Sequence, residues 1–124
     1  MRYQSKQYVR WDDLDAFGHV NNAVYLTYAQ EARFAWSGIL EMVVARAEVD
    51  FIAPIYDGDT FLDIELWVSA IGNSSFTMTY EIKMKGELVA RVKTVQVTVD
   101  MGTKKSRAMS DEQRAFLTKY LETE

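Results

Sequence analysis

Polar and apolar side chains alternate at the start of the chain: Tyr3, Ser5, Gln7, Val9 and Trp11 fall on one side, and Arg2, Gln4, Lys6, Tyr8 and Arg10 on the other. This period of two predicts an extended strand over residues 3–11. The alternation stops at Asp12. Residues 12–19 (DDLDAFGH) then bring three carboxylates, a glycine and the only histidine together ahead of two asparagines, a loop feeding a helix start. The spacing predicts a helix from Asn22 to Trp36, and its apolar positions, Val24, Tyr25, Leu26, Tyr28, Ala29, Ala32, Phe34, Ala35 and Trp36, cover most of the circumference. Such a helix is largely buried. Thr27, Gln30 and Glu31 form its polar side, and Gly38 is its expected stop.

Beyond Gly38 the period returns to two and stays there, as in an antiparallel sheet rather than βαβ repeats. Val43, Ala45, Ala47, Val49 and Phe51 share a face; so do Leu62, Ile64, Leu66 and Val68, and again Phe76, Met78, Tyr80, Ile82 and Met84. Asp57-Gly58-Asp59, Gly72-Asn73-Ser74 and Lys85-Gly86-Glu87 supply turns. In the last strand the apolar set moves from Leu88, Ala90 and Val92 to Val95, Val97 and Val99, a change of phase that predicts a bulge between them. Ser110-Asp111-Glu112-Gln113 opens a capped, amphipathic C-terminal helix. The expected architecture is α+β in one domain over residues 1–124: a curved antiparallel sheet of about five strands wrapped around one central helix. Its long strands leave open edges, which predicts self-association.

Composition narrows the chemistry. With 124 residues, 48% of them hydrophobic, and one proline, the chain has a core and no disordered composition. No cysteine and a single histidine exclude disulfides, iron–sulfur clusters, Cys-rich zinc sites and multi-His centres, so no metal is expected. The N-terminal residues lack an apolar signal core and no segment is long and apolar enough to span a bilayer; a soluble, cytoplasmic protein without membrane insertion is the expectation. A net charge of −4 argues against nucleic acid.

The segment Val9-Arg10-Trp11-Asp12-Asp13-Leu14-Asp15-Ala16-Phe17-Gly18-His19-Val20-Asn21-Asn22-Ala23-Val24-Tyr25, continued by Tyr28, Glu31 and Arg33, resembles the hotdog-fold acyl-CoA thioesterases, in particular the hydroxybenzoyl-CoA thioesterase-like group, and the element order agrees along the whole chain. The resemblance implies hydrolysis of an acyl-CoA, or an acyl-carrier-protein thioester, to free acid and thiol. No separate cofactor is implied, since coenzyme A is part of the substrate. Asp15, three residues before Gly18, takes the position of the family's nucleophile or general base, and the backbone N–H of Asn22 that of the oxyanion donor. The loop is also similar to plant acyl-carrier-protein thioesterases: Asp15, His19 and Glu31 match that pattern, while Phe17 stands where it has asparagine. The resemblance further implies a homodimer or homotetramer with sites at a subunit interface. It puts Phe17, Gly18, Tyr25, Ser74 and Ser75 near substrate, with Tyr28, Phe51, Tyr56 and Phe76 among the acyl-tunnel walls. The basic cluster Lys104, Lys105 and Arg107 suits the phosphates of coenzyme A.

Plainer readings stand beside these. Asp15 also reads as a loop-capping aspartate, His19 as a residue holding the turn through backbone carbonyls, Ser74 and Ser75 as turn formers, Lys104 to Arg107 as a solvated loop, and Asp12 and Asp13 as solvated or capping, with support of the site the alternative for Asp13. Two other functions share the fold: a hydratase or dehydratase using Asp15 and His19, whose asparagine–proline signature is absent here, and a non-catalytic acyl-CoA or aromatic-ligand binding subunit.

Overall fold

β-Branched and aromatic residues at alternate positions commit most of the chain to strands. The computed structural model describes residues 1–37 and 41–123. It contains β1 (Tyr3–Val9), α1 (Tyr25–Trp36), β2 (Met42–Phe51), β3 (Thr60–Ile71), β4 (Ser75–Met84), β5 (Glu87–Asp100), the two-residue β6 (Lys105–Ser106) and α2 (Asp111–Thr118). The long strands pair antiparallel in the order β1-β3-β4-β5-β2, with β6 on the end of β5. The sheet curls around α1, as the alternation pattern predicts.

Two boundaries differ from the expectation. The first strand ends at Val9, because Trp11–Asp13 form a single 3-10 turn in which the Asp13 carboxylate accepts from the Arg10 backbone N–H. The central helix begins as a 3-10 turn at Asn22–Val24, capped by the Asn21 side chain, before α1 proper. Its expected stop, Gly38, lies outside the described residues.

The inner face is built from Val9, Leu62, Ile64, Leu66, Met78, Tyr80, Ile82, Ala90 and Val92, all fully buried against Tyr25, Tyr28, Ala29 and Ala32 of α1. Three one-residue irregularities, at Ala45, Ser69 and Val89, add local twist. They relocate the expected change of phase. The bulge in β5 comes at Val89, beside the β4–β5 turn, and after it the strand keeps one phase: Ala90, Val92, Thr94, Gln96 and Thr98 point inward, while Val95 and Val97 lie half-exposed on the outer face. The bulge at Ala45 splits the face assumed for β2, so Val43, opposite Val97, points outward and Val44, opposite Gln96, inward. On the outer face a charged row crosses the sheet, with Arg91 against Glu81 at 2.7 Å and Arg2 reaching Glu81 at 3.3 Å.

The polar stretch of the inner face receives an arginine. Arg33, 4% exposed, donates from Nη1 to the Tyr80 hydroxyl at 3.0 Å. Tyr80 in turn shares a 2.8 Å hydrogen bond with Thr94, whose hydroxyl also accepts from Gln96 Nε2. No carboxylate pairs with Arg33 among the described residues, and Arg33 Nε and Gln96 Oε1 lack partners. A buried cation without a counter-charge costs stability. Replacing Arg33 by methionine, which keeps the length and removes the charge, is therefore expected to raise the unfolding free energy by about 1–2 kcal/mol in a denaturant titration. A loss of similar size would show that the guanidinium is paired in solution.

Candidate active site

The loop between β1 and α1 is closed by a bridge between Leu14 and Val20. Inside it the Asp15 N–H donates to the His19 carbonyl at 2.8 Å and the Gly18 N–H to the Asp15 carbonyl at 3.0 Å. The turn requires Gly18 at φ +81°, a region that L side chains rarely enter. The Asp15 carboxylate folds back on this turn: Oδ1 accepts the Phe17 N–H at 2.9 Å. Among the described residues Oδ2 makes no hydrogen bond, and it stands 3.7 Å from His19 Nδ1.

His19 Nδ1 also lies 3.2 Å from the Val20 carbonyl oxygen. A carbonyl only accepts, so Nδ1 carries the proton in that bond and Nε2 of the neutral ring is left as an acceptor. Phe17 stacks on the imidazole at 6.3 Å between centroids and Tyr56 meets it edge-on at 6.4 Å. The loop-capping and turn-holding geometries are thus both present at Asp15 and His19, and they leave one oxygen and one ring nitrogen uncommitted.

Next along the chain, the Asn21 carboxamide and carbonyl take the N–H groups of Ala23 and Val24. The N–H of Asn22, first in the helical turn, has no protein acceptor among the described residues. A cleft of about 130 Å³ opens here, lined by His19, Asn22, Tyr25 and residues 51–54. Tyr25 and Phe51 pack edge-to-face at 5.0 Å across it, and burial pushes the Tyr25 phenol up from its ordinary pKa. Asp15 adjoins this cleft through His19.

Other expected site residues lie elsewhere. Glu31 is exposed and borders a second cleft, about 300 Å³, between β1 and α1, with Gln7, Arg10, Asp13 and Tyr28; it makes no contact with Asp15 or His19 among the described hydrogen bonds and ion pairs. Tyr28 turns to that second cleft and Phe76 is buried in the core. Ser74, Ser75, Lys104, Lys105 and Arg107 sit at the end of the sheet where β4 begins and β5 ends, whereas the Asp15 loop follows the end of β1, next to the start of β3. Within one chain these two groups are at opposite ends of the strands. The Ser74 carbonyl accepts from the Thr98 N–H at 2.9 Å and so serves the turn.

Asp13, read from sequence as solvated or capping, is buried at 3% exposure. Its Oδ2 accepts the Tyr28 hydroxyl at 2.8 Å and the Arg10 N–H at 3.0 Å; its Oδ1 accepts from the Arg10 guanidinium at 3.0 and 3.2 Å. Burial alone would push this carboxyl up, but the Tyr28 and Arg10 donors outweigh it and hold the pKa below the ordinary value. Burial and the neighbouring Asp13 together push the Tyr28 phenol far up. The one local signal for this cluster is the i, i+3 spacing of Arg10 and Asp13.

A curled antiparallel sheet around one helix, with a carboxylate-bearing loop delivering the chain to the helix start, is the hotdog fold, and its relatives make the chain a thioester hydrolase. The chain belongs to the thioesterase-like superfamily, whose model matches residues 9–117. It is 26% identical to the 1,4-dihydroxy-2-naphthoyl-CoA hydrolase of Synechococcus elongatus, covering 93% of this chain and 94% of that one. It is 28% identical to the long-chain acyl-CoA thioesterase of Escherichia coli over 92% and 96%. A Thermus thermophilus thioesterase solved with coenzyme A and zinc superimposes with a TM-score of 0.85 at 30% identity, covering 94% of this chain and 92% of that one. Among the described residues, no three His, Asp or Glu side chains converge as metal ligands.

Because the folded pKa of Asp13 is depressed, its carboxylate contributes stability in full above the unfolded value of about 3.8 and loses it as pH falls through the folded value. Asp13→Asn is therefore expected to lower the melting temperature at neutral pH and to flatten its dependence on pH below about 4. Parallel melting curves for parent and variant down to pH 2 would contradict this assignment.

Proposed function

We propose that this protein is an acyl-CoA thioesterase in which Asp15 attacks or activates water, the Asn22 N–H binds the oxyanion, and each site is completed by a second copy of the chain. The observation that carries the reading is that Asp15 Oδ2, which makes no hydrogen bond among the described residues, stands 3.7 Å from His19 Nδ1, and that His19 and Asn22, whose N–H has no acceptor among the described residues, line one cleft. The relatives named above act on different acyl groups, dihydroxynaphthoyl and long-chain, and share coenzyme A.

In the nucleophilic form, Oδ2 adds to the thioester carbonyl, whose oxygen takes up negative charge against the Asn22 N–H and the positive end of the helix. Collapse breaks the carbon–sulfur bond and releases the thiolate, and water then cleaves the resulting acyl-aspartyl anhydride. In the general-base form Oδ2 takes a proton from water, hydroxide adds to the carbonyl, and the departing thiolate is protonated. Both forms give the same acid and thiol. An acyl-carrier-protein substrate presents the same thioester. Phe17, Tyr25, Phe51 and Tyr56 give the entrance an aromatic surround.

The case for a second copy rests on the two sheet edges. Along β1 the edge carries Arg2, Gln4 and Lys6, engaged with Glu65, Glu81 and Asp63, the kind of charged edge that resists pairing. β2 is exposed over nearly its whole length, with Val43, Val44 and Phe51 about half exposed, as is Ile52 just beyond it. Antiparallel pairing of two β2 strands across a two-fold axis sets the Met42 end of one chain beside the Phe51 end of the other. That pairing carries Ser74, Ser75, Lys104, Lys105 and Arg107 of the partner toward the Asp15 cleft. The basic cluster then serves the phosphates in trans. No helix among the described residues is long and apolar enough to cross a membrane.

Asp15→Asn is expected to lower kcat for acyl-CoA about a hundredfold or more with the fold retained, since the amide keeps the shape and loses both nucleophilicity and basicity. His19→Ala should cost less, as Phe17 interrupts the plant-type network. Near-normal turnover in Asp15→Asn, assayed by release of free thiol across a panel of acyl-CoAs, would sink the assignment.

Replacing Lys104, Lys105 and Arg107 together by glutamine is expected to raise KM for acyl-CoA several-fold at nearly constant kcat, and to leave acyl-pantetheine hydrolysis unaffected. Light scattering of the parent should give at least a dimer. An active monomer, or an unchanged KM at low salt, would count against the trans arrangement.

A further inference from the structure

The bonds inside the Asp15 turn fix its shape but not where it stands relative to the helix. Asp15 with His19, Gly18 with Asp15, and Phe17 with Asp15 are all contacts of the turn with itself. Placement comes from the residues on either side. At the exit, the Val20 N–H donates to the Ile55 carbonyl at 2.8 Å. At the entry stands Asp13, whose carbonyl accepts the Asn21 N–H at 2.9 Å and whose carboxylate takes donors from Arg10, the N-cap of its own 3-10 turn, and from Tyr28 of another element, α1. Only Leu14, in extended conformation, separates Asp13 from Asp15. Tyr28 belongs to the same helical run as Asn22, so the Tyr28 hydroxyl ties the carboxylate-bearing loop to the body that carries the free N–H.

We infer that Asp13 is a positioning residue for thioester hydrolysis, setting the separation of Asp15 from the Asn22 N–H through its hydrogen bonds to Tyr28 and Arg10. The inference rests on the proposed roles of Asp15 and Asn22. The nucleophile and the oxyanion donor reside on different elements, and the Asp13 carboxylate bridges them from a site with 3% exposure, where each donor is well directed. Neither Asp13 nor Tyr28 lines the cleft by Asn22; both face the second cleft, with Arg10 and Glu31. Their influence on turnover therefore runs through the loop and not through substrate. A displacement of about 1 Å between reacting groups is enough to cost one to two orders of magnitude in rate.

The test compares Tyr28→Phe and Asp13→Asn with the parent in steady-state kinetics, and uses the single histidine as a reporter. His19 is the only source of imidazole signals in the chain, so its NMR resonances follow the loop without reference to activity. Both variants are expected to lower kcat about tenfold with KM for acyl-CoA within twofold, and to shift the His19 resonances. The double variant should lose little more than either single one, because both act through one contact. Folded variants with parental kcat and unshifted His19 signals would overturn the inference, and so would a loss confined to melting temperature. If Tyr28→Phe does not fold, Arg10→Gln, whose side chain is largely exposed, carries the same comparison with a smaller expected loss. Should Asp15→Asn remain active while Tyr28→Phe shifts the His19 signals, the catalytic reading of Asp15 fails, and the inference, which depends on it, falls too. Parental kinetics and signals in Tyr28→Phe beside an inactive Asp15→Asn reject the positioning role alone.

Discussion

Between Asp15 and Phe17 a carboxylate oxygen and a backbone N–H meet at 2.9 Å, and the rest of the site is arranged around that bond. It holds the aspartate in one orientation and commits Oδ1 to the turn, and in the proposed mechanism Oδ2 is the oxygen that reacts. A freely rotating carboxylate would have to lose that freedom during the reaction; here it is given up on folding, when the turn forms. Leu14 and Val20 close the base of the same turn, which delivers the chain to a helix start with a spare N–H.

The helix, the antiparallel sheet and the turn positions were legible because they depend on local periodicity, and local periodicity is what a linear pattern records. The phase of β5 was not. Valine favours a strand on either face, so Val95 and Val97 drew the inner face to themselves, although Thr94, Gln96 and Thr98 occupy it. Those polar side chains are tolerable inside because Tyr80 bonds Thr94, Gln96 donates to Thr94 and Thr98 donates to the Ser74 and Arg107 carbonyls, and the Arg33–Tyr80 contact that extends this chain spans 47 positions in sequence. Asp13 was legible as a capping residue, which its bond from the Arg10 N–H bears out, but its burial was not, because its hydroxyl partner is fifteen residues away on another element. The Asp15 to Asn22 stretch stood out as the motif of the resemblance, while the separation of the basic cluster from it required the strand register.

That separation bears on how such a small chain builds a site for a long substrate. The sheet puts Asp15 at one end and Lys104, Lys105 and Arg107 at the other, with the length of the strands between them. On the proposed function, coenzyme A, with its reactive thiol and its charged nucleotide at opposite ends, would meet the two groups on different protomers, and an antiparallel pair would supply both contacts without adding a residue.

Gly18 carries a less obvious consequence. A methyl group built on its α-carbon meets nothing within 4 Å, yet its backbone sits at φ +81°. The demand at this position is one of handedness, not of room: an L-alanine would be strained where a D-alanine would rest comfortably. The turn that aims the carboxylate is thus achiral only by the accident of its occupant, and a mirror-image residue installed by chemical ligation would hold it more firmly than glycine does, by removing conformations open to the unfolded chain.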